Sequence, residues 1–181
     1  MRGLELRTKR LLLRPWRDAD LEPFVTLNQD QEVHEFLSSV PDREWCAEFI
    51  ERSRRHFEEH RFGRFALEAT RGELSGRLIG FCGVAHPTFI PAVADRPELG
   101  YRLGRFAWGQ GFATEAAIAC RDDAFYRAGL PALISLIDPA NRRSQRVAEK
   151  VGMSPGEPVR NPLTDSDVTV WSLPAPNQGR G

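Results

Sequence analysis

The segment Trp108-Gly109-Gln110-Gly111-Phe112-Ala113-Thr114-Glu115 is the first place in the sequence where chemistry is readable. Two glycines one residue apart allow a tight turn and a close approach of ligand to backbone. A helix begins after them, and its first N–H groups are unpaired and lie at the positive end of the helix dipole. Such a turn suits an anion, a pyrophosphate included, although it also reads as a plain strand–helix connection. The competing nucleotide motifs are not met: there is no GxxxxGK[ST], and no third glycine completes a dinucleotide fingerprint. A second cluster is His56-Phe57-Glu58-Glu59-His60, a literal H-x-x-E-H. On a helix the two histidines would share a face, as zinc ligands do. The surrounding stretch is dense in alternating charge, so chance explains the match better, and no downstream helix offers a third ligand. His34 and His86 read as surface or packing residues, and no metal is expected.

These residues need elements to hold them. Leu4 to Trp16 reads as a strand, with Asp20 as the N-cap of a first helix running to about Leu27. Gln29 to Val40 is short and irregular or helical. Asp42 caps a second helix to His60, with Trp45, Phe49, Ile50 and Phe57 at near-helical spacing. Phe65–Ala69 and Arg77–Val84 form a hairpin around Arg71-Gly72-Glu73. His86 to Pro97 is a loop, and Leu99–Leu103 is a short strand leading into the glycine turn. Thr114 to Ala128 is a helix whose small-residue stripe suits close packing on a sheet, ended by Gly129. Ala132–Ile137 is a buried strand, Arg143–Lys150 a helix ended by Gly152, and Val168–Leu173 a last strand. The expected fold is one mixed α/β (α+β) domain over 1–173, with a frayed tail at 174–181.

The ordered set of motifs resembles the GNAT superfamily of N-acetyltransferases, in its RimJ/RimL-like branch. The acyl-CoA signature Gln/Arg-x-x-Gly-x-Gly/Ala is met by Trp108 to Ala113, with Trp108 in the Gln/Arg position, a departure typical of that branch. Ala113-Thr114-Glu115-Ala116 follows it as the branch's Ala-x-Glu-Ala. Thr8-Lys9-Arg10-Leu11-Leu12-Leu13-Arg14-Pro15 resembles the opening strand, and Leu78-Ile79-Gly80-Phe81-Cys82-Gly83 the hairpin. Asn141-Arg142-Arg143-Ser144, with Glu149-Lys150-Val151-Gly152-Met153, resembles the Asn-x-x-Ser…Glu-Lys-x-Gly-Phe block, and Asp167 to Leu173 the closing strand.

The resemblance implies a single domain with a mostly antiparallel mixed sheet and a central splay between Leu99–Leu103 and Ala132–Ile137. It implies acetyl-CoA as co-substrate and a primary amine as acceptor, either a protein N-terminus or a small molecule. The pyrophosphate would sit on backbone N–H groups of Gly109, Gln110, Gly111, Phe112, Ala113 and Thr114, beside Trp108. The pantetheine arm would pair at Leu103 and with Asn141. Arg105, Arg142, Arg143 and Arg146 lie nearby, and Arg146 is included among the cofactor-binding residues. Ser144 would donate a proton to the departing thiolate, because the Tyr used by many relatives is replaced by Ala148. Glu98 would be the base, directly or through water, and Tyr101 reads as a core aromatic. A homodimer is implied only as a family habit. The missing Tyr also leaves open an acyl-CoA-binding sensor without turnover.

The whole composition is compatible with this. The chain has 181 residues, 41% hydrophobic and 28% charged, with 25 Lys plus Arg against 25 Asp plus Glu. A balance of zero gives no global pull toward nucleic acid or an anionic membrane. No apolar run approaches a bilayer span, and the N-terminus lacks a signal-peptide pattern, so a cytoplasmic enzyme is expected. Cys46, Cys82 and Cys120 are too scattered for a disulfide framework, and Cys82 and Cys120 are expected in the core.

Overall fold

A computed structural model describes residues 4–176. One eight-stranded sheet runs through the molecule. Its strands are β1 (Leu6–Arg7), β2 (Leu11–Arg14), β3 (Arg64–Ala69), β4 (Leu78–Ala85), β5 (Glu98–Leu103), β6 (Ala132–Ile137), β7 (Ser154–Asn161) and β8 (Ser166–Pro174). Their spatial order is β1-β2-β3-β4-β5-β6-β8-β7. Every neighbouring pair is antiparallel except β5 and β6, which are parallel and joined by one backbone pairing, Glu98 with Ile134. The expected splay is therefore present, starting one residue into β5.

The register decides what each face of the sheet carries. Arg64, Ala66, Phe81, Glu98 and Arg102 fall on one side, since Ala66 faces Phe81, Phe81 faces Arg102, and Ala85 faces Glu98. That side is covered by α1 (Leu21–Asn28), the short α2 (Gln31–His34) and α3 (Arg43–His60). Trp16, Phe24, Phe49 and Phe81 pack there edge-on or tilted, at centroid distances of 4.7 to 6.1 Å. Phe24 is fully buried, so Phe24→Ala would cost about 3–5 kcal/mol. The opposite face, with Phe65, Leu67, Cys82, Leu99 and Leu103, packs on α4 (Phe112–Asp122) and α5 (Arg142–Val151). Ala116, Ala117 and Cys120 of α4 are buried there, which is the close approach that the small-residue stripe foretold. All three cysteines are buried.

Several local expectations are corrected. The opening strand is two short strands with a turn at Thr8–Arg10. Asp20 does not cap α1. Its carboxylate instead takes the buried Arg14 guanidinium at 2.7 and 2.8 Å and the Arg17 backbone N–H at 2.7 Å. A buried cation outcompetes a helix end for a carboxylate, because desolvated charge must be paired. The helix after the glycine turn starts at Phe112 and closes in a wide turn over Asp123–Arg127, with the Ala128 N–H on the Asp123 carbonyl. β7 was not foreseen: Ser-Pro-Gly-Glu-Pro is an exposed edge strand, where proline is tolerated. Asp42 does cap α3, accepting from the Trp45 N–H at 2.8 Å. β8 extends to Pro174, and the Ala175 N–H donates to the Pro131 carbonyl, so the expected fraying does not begin at 174. Residues 177–181 of the expected tail lie outside the described residues.

Candidate active site

A cavity of about 1050 Å³ runs from the start of α4, through the gap between β5 and β6, to the face of the sheet covered by α3. Its first end is the glycine turn. Gly109 and Gly111 have φ of 73° and 80°, a region in which other residues are strained. Gly111 stands at the N-cap of α4 and contributes no side chain, so the first-turn N–H groups of the helix remain unpaired by a cap. Trp108, Gly109, Gly111, Phe112, Ala113 and Thr114 all line the cavity. Gln110 does not: its amide turns back to the Phe106 carbonyl at 3.3 Å.

Arg10 holds this turn in place. Its guanidinium donates to the Gln110 carbonyl at 2.8 Å and to Glu115 at 2.7 Å, and lies 4.5 Å from the centre of the Phe112 ring. Glu115 also accepts from the Thr8 hydroxyl (2.6 Å) and the Arg10 backbone N–H (2.8 Å). Partial burial pushes its pKa up, but the bonds from Thr8 and Arg10 outweigh that and hold it below the usual carboxylate value. The glutamate of the Ala-x-Glu-Ala run is thus a brace between β1–β2 and α4.

The middle of the cavity is the gap. Leu103 lines it, and its carbonyl accepts the Trp108 indole N–H at 2.8 Å. Beyond Glu98 the strands are linked by the Ser135 hydroxyl, which donates to the Leu99 carbonyl at 2.6 Å. The N-terminus of α5 faces the gap. Asn141 is its N-cap, with Oδ1 accepting the Ser144 N–H at 3.0 Å, which leaves the Asn141 NH₂ as the group free to meet a ligand. Ser144 lines the cavity, and its hydroxyl makes no hydrogen bond among the described residues. Tyr101 is half-buried and lines the gap as well as packing on the core; its hydroxyl donates to the Ser144 carbonyl at 3.0 Å.

The far end is charged. Glu98 meets the Arg64 guanidinium at 3.3 Å, with side-chain exposures of 13% and 22%. Burial pushes the Glu98 carboxyl above its ordinary value, and Arg64 offsets this only in part. Arg102 donates to Asn28 Oδ1 at 2.8 Å and lies 5.3 Å from the Trp45 ring and 5.6 Å from the Phe81 ring. Among the described residues no carboxylate lies within ion-pair distance of it. Burial lowers its pKa to about 10, so it stays cationic at neutral pH.

The acetyltransferase (GNAT) domain family matches residues 10–154. The chain belongs to this family. The uncharacterized protein YkkB of Bacillus subtilis is 32% identical over 160 residues, covering 86% of this chain and 88% of that one. Among solved structures, an acetyltransferase from Agrobacterium tumefaciens superposes with a TM-score of 0.80 at 28% identity over 94% of both chains. RimJ from Mycobacterium smegmatis, solved in complex with a CoA disulfide, superposes at 0.71 with 20% identity, over 91% of this chain and 82% of that one. The GNAT fold, with RimL and RimJ acetyltransferases among its neighbours, is the fold of this protein.

In this acetyltransferase the basic residues near the glycine turn divide. Arg105 pairs with Glu32, and Arg143 stacks on Trp108 at 4.4 Å while pairing with Glu35 at 3.0 Å. Arg142 bonds Gln145 at 3.0 Å. Arg146 lines the cavity and makes no ion pair among the described residues, so it is the arginine with a hand free. Sequence reasoning missed Arg10, Arg64 and Arg102. It also read His86 as a lone histidine, whereas His56, His60 and His86 stand together on the cavity wall. No helix among the described residues is long and apolar enough to cross a membrane.

Proposed function

We propose that this acetyltransferase carries acetyl from acetyl-CoA to the primary amine of a small acceptor that also bears an anionic group. The observation behind the acceptor class is Arg102: a half-buried cation lining the acceptor compartment, whose protein partners are one amide and two rings. A partly desolvated guanidinium without a carboxylate suits a ligand that brings one, or another planar anion, in bidentate geometry.

Acetyl-CoA supplies the activated acetyl carbon and a thiolate leaving group. The unpaired N–H groups of Gly111 to Thr114 would take its pyrophosphate, with Arg146 as a counter-charge. Its amide-bearing arm would add along β5 at Tyr101–Leu103 and meet the Asn141 NH₂. Glu98, ionised, accepts the proton that the attacking nitrogen loses as the N–C bond forms. Ser144 donates its hydroxyl proton to the sulfur as the C–S bond breaks and regains one from solvent in the open cavity. The burial that raises the Glu98 pKa brings it nearer to that of an ammonium group and makes it a better proton acceptor.

A panel of amines tests this with the full chain and acetyl-CoA. The reading expects transfer to amines bearing a carboxylate, and at least a tenfold lower kcat/KM for the matching carboxamides. Preference for peptide N-termini with neutral flanks overturns the acceptor class. Binding of acetyl-CoA without transfer to any amine overturns the enzymatic reading in favour of a sensor.

A further inference from the structure

Helix α3 ends at His60, and Arg61 at φ 65° turns the chain back so that Phe62 and Gly63 lead into β3. Gly63 is needed at this reversal: a Cβ there would lie 2.6 Å from the Phe57 ring. β4 runs antiparallel to β3 and passes this corner, with the Val84 N–H on the Gly63 carbonyl at 3.1 Å. The residue two further on is His86. It therefore emerges beside the last turn of α3, where His56 and His60 share a face one turn apart.

The three rings converge. Centroids are 4.4 Å apart for His56 and His60, 5.6 Å for His56 and His86, and 5.1 Å for His60 and His86. One ring nitrogen from each lies within 4.8 Å of the others. The Phe62 ring packs against all three, at 5.1 to 5.8 Å.

His56 fixes the chemistry. Its Nδ1 lies 2.8 Å from the Phe62 carbonyl oxygen, and a carbonyl can only accept, so Nδ1 carries the proton. Nε2 is then a bare lone pair. It is buried and has no hydrogen-bond partner. Buried polar atoms are nearly always satisfied, so an orphan on a histidine whose other nitrogen is anchored to a backbone carbonyl needs a reason. That anchoring is the arrangement a metal-bound imidazole uses to set its tautomer.

We propose that His56, His60 and His86 bind a divalent late first-row ion, zinc being the best match, on the wall of the acceptor compartment. Three imidazoles with no carboxylate among them suit zinc, nickel or copper over magnesium or calcium. A tetrahedral ion with Zn–N near 2.0–2.1 Å places its nitrogens about 3.3 Å apart. From within 4.8 Å, side-chain rotations moving each nitrogen by about 1 Å or less bring that spacing within reach. Three protein ligands leave one position open, and all three histidines line the cavity, so that position faces the acceptor. The ion ties the loop after β4 to α3. The inference stands apart from the acceptor reading, which rests on Arg102.

The test is calorimetry of zinc with the chelator-stripped full chain, alongside His60→Gln and His86→Asn. These two replace the less enclosed ligands, so the fold is retained where His56→Ala could collapse it; circular dichroism checks this. The expected result is one zinc per chain, weakened at least tenfold by either variant and unchanged by His34→Gln or Arg102→Met. A cobalt(II)-loaded sample shows the visible absorption of a four-coordinate site, lost in His60→Gln. No stoichiometric binding, or binding that both variants retain, overturns the proposal.

Discussion

The Arg64 guanidinium lies 3.3 Å from the Glu98 carboxylate, and the two stand on the strands either side of β4: Glu98 faces Ala85 across β4–β5, and Arg64 faces Gly83 across β3–β4. The pair sets a pH signature. Glu98 must be ionised to take a proton, its pKa is raised by burial, and Arg64 pulls it back down. With Glu98 as the proposed base, activity is expected to be lost as pH falls through a value above the ordinary carboxylate range. Removing the cation with Arg64→Met moves that acidic limb to higher pH. Glu98→Gln lowers kcat/KM by about 10²–10⁴-fold, the usual worth of a general base. A pH profile of kcat/KM for the three proteins checks all of this; a limb that stays in place in Arg64→Met removes Glu98 from the role.

Ser144 and Asn141 separate by kinetics. Ser144→Ala leaves the N-cap intact, since the cap uses the Ser144 backbone N–H. It is expected to lower kcat about 10–100-fold with the KM for acetyl-CoA unchanged, the signature of a group that acts only in the transition state. Asn141→Ala removes the cap, costing about 1 kcal/mol of stability, and raises the KM for acetyl-CoA. Steady-state kinetics and thermal melts distinguish the two patterns.

Arg102→Met retains the packing stem and removes the charge. Its effect belongs in the acceptor KM, by about 10–100-fold for carboxylate-bearing amines, because a charge-assisted hydrogen bond is worth roughly 1.5–3 kcal/mol. Acetyl-CoA affinity stays constant. Equal loss for charged and neutral acceptors would place Arg102 in packing alone.

Glu115→Gln loosens the brace to Arg10 and Thr8. The Glu115 pKa is lowered in the folded state, so its contribution is present above the unfolded carboxylate value and fades as pH falls through the folded one. The variant is expected to melt earlier than the wild type at pH 7, with the difference shrinking on acidification below about pH 4. Acetyl-CoA binding weakens as well, because Arg10 also holds the Gln110 carbonyl. Melting curves at several pH values, with calorimetry, read both effects.

Local signals were legible in the sequence and registers were not. The glycine turn, the α3 cap at Asp42 and the small-residue stripe of α4 each follow from a few neighbouring residues, and each is found in the fold. Arg64 and Arg102 belong to no motif that the sequence displays. They become part of a site only because α3 covers that side of the sheet, a fact of tertiary packing. The Asp20 error has the same origin, since its partner Arg14, at the end of β2, is buried in the fold and also bonds Glu68 of β3. β7 was hidden because its two prolines forbid a central strand but not an edge. His86 was dismissed on its isolation in sequence, which the passage of β4 past the end of α3 reverses.

The lone ladder pairing of Glu98 with Ile134 decides where the gap closes. On one side of it lie five strands and on the other three, and below this pin one hydrophobic core runs under both, with Leu67 and Ile79 from the first panel and Leu133, Ile137 and Trp171 from the second. Strands that diverge from a pin are closest at it and widest at their far ends. Glu98 is itself half of the pin. The carboxylate proposed as proton acceptor thus stands at the closed end of the gap that the thioester would enter.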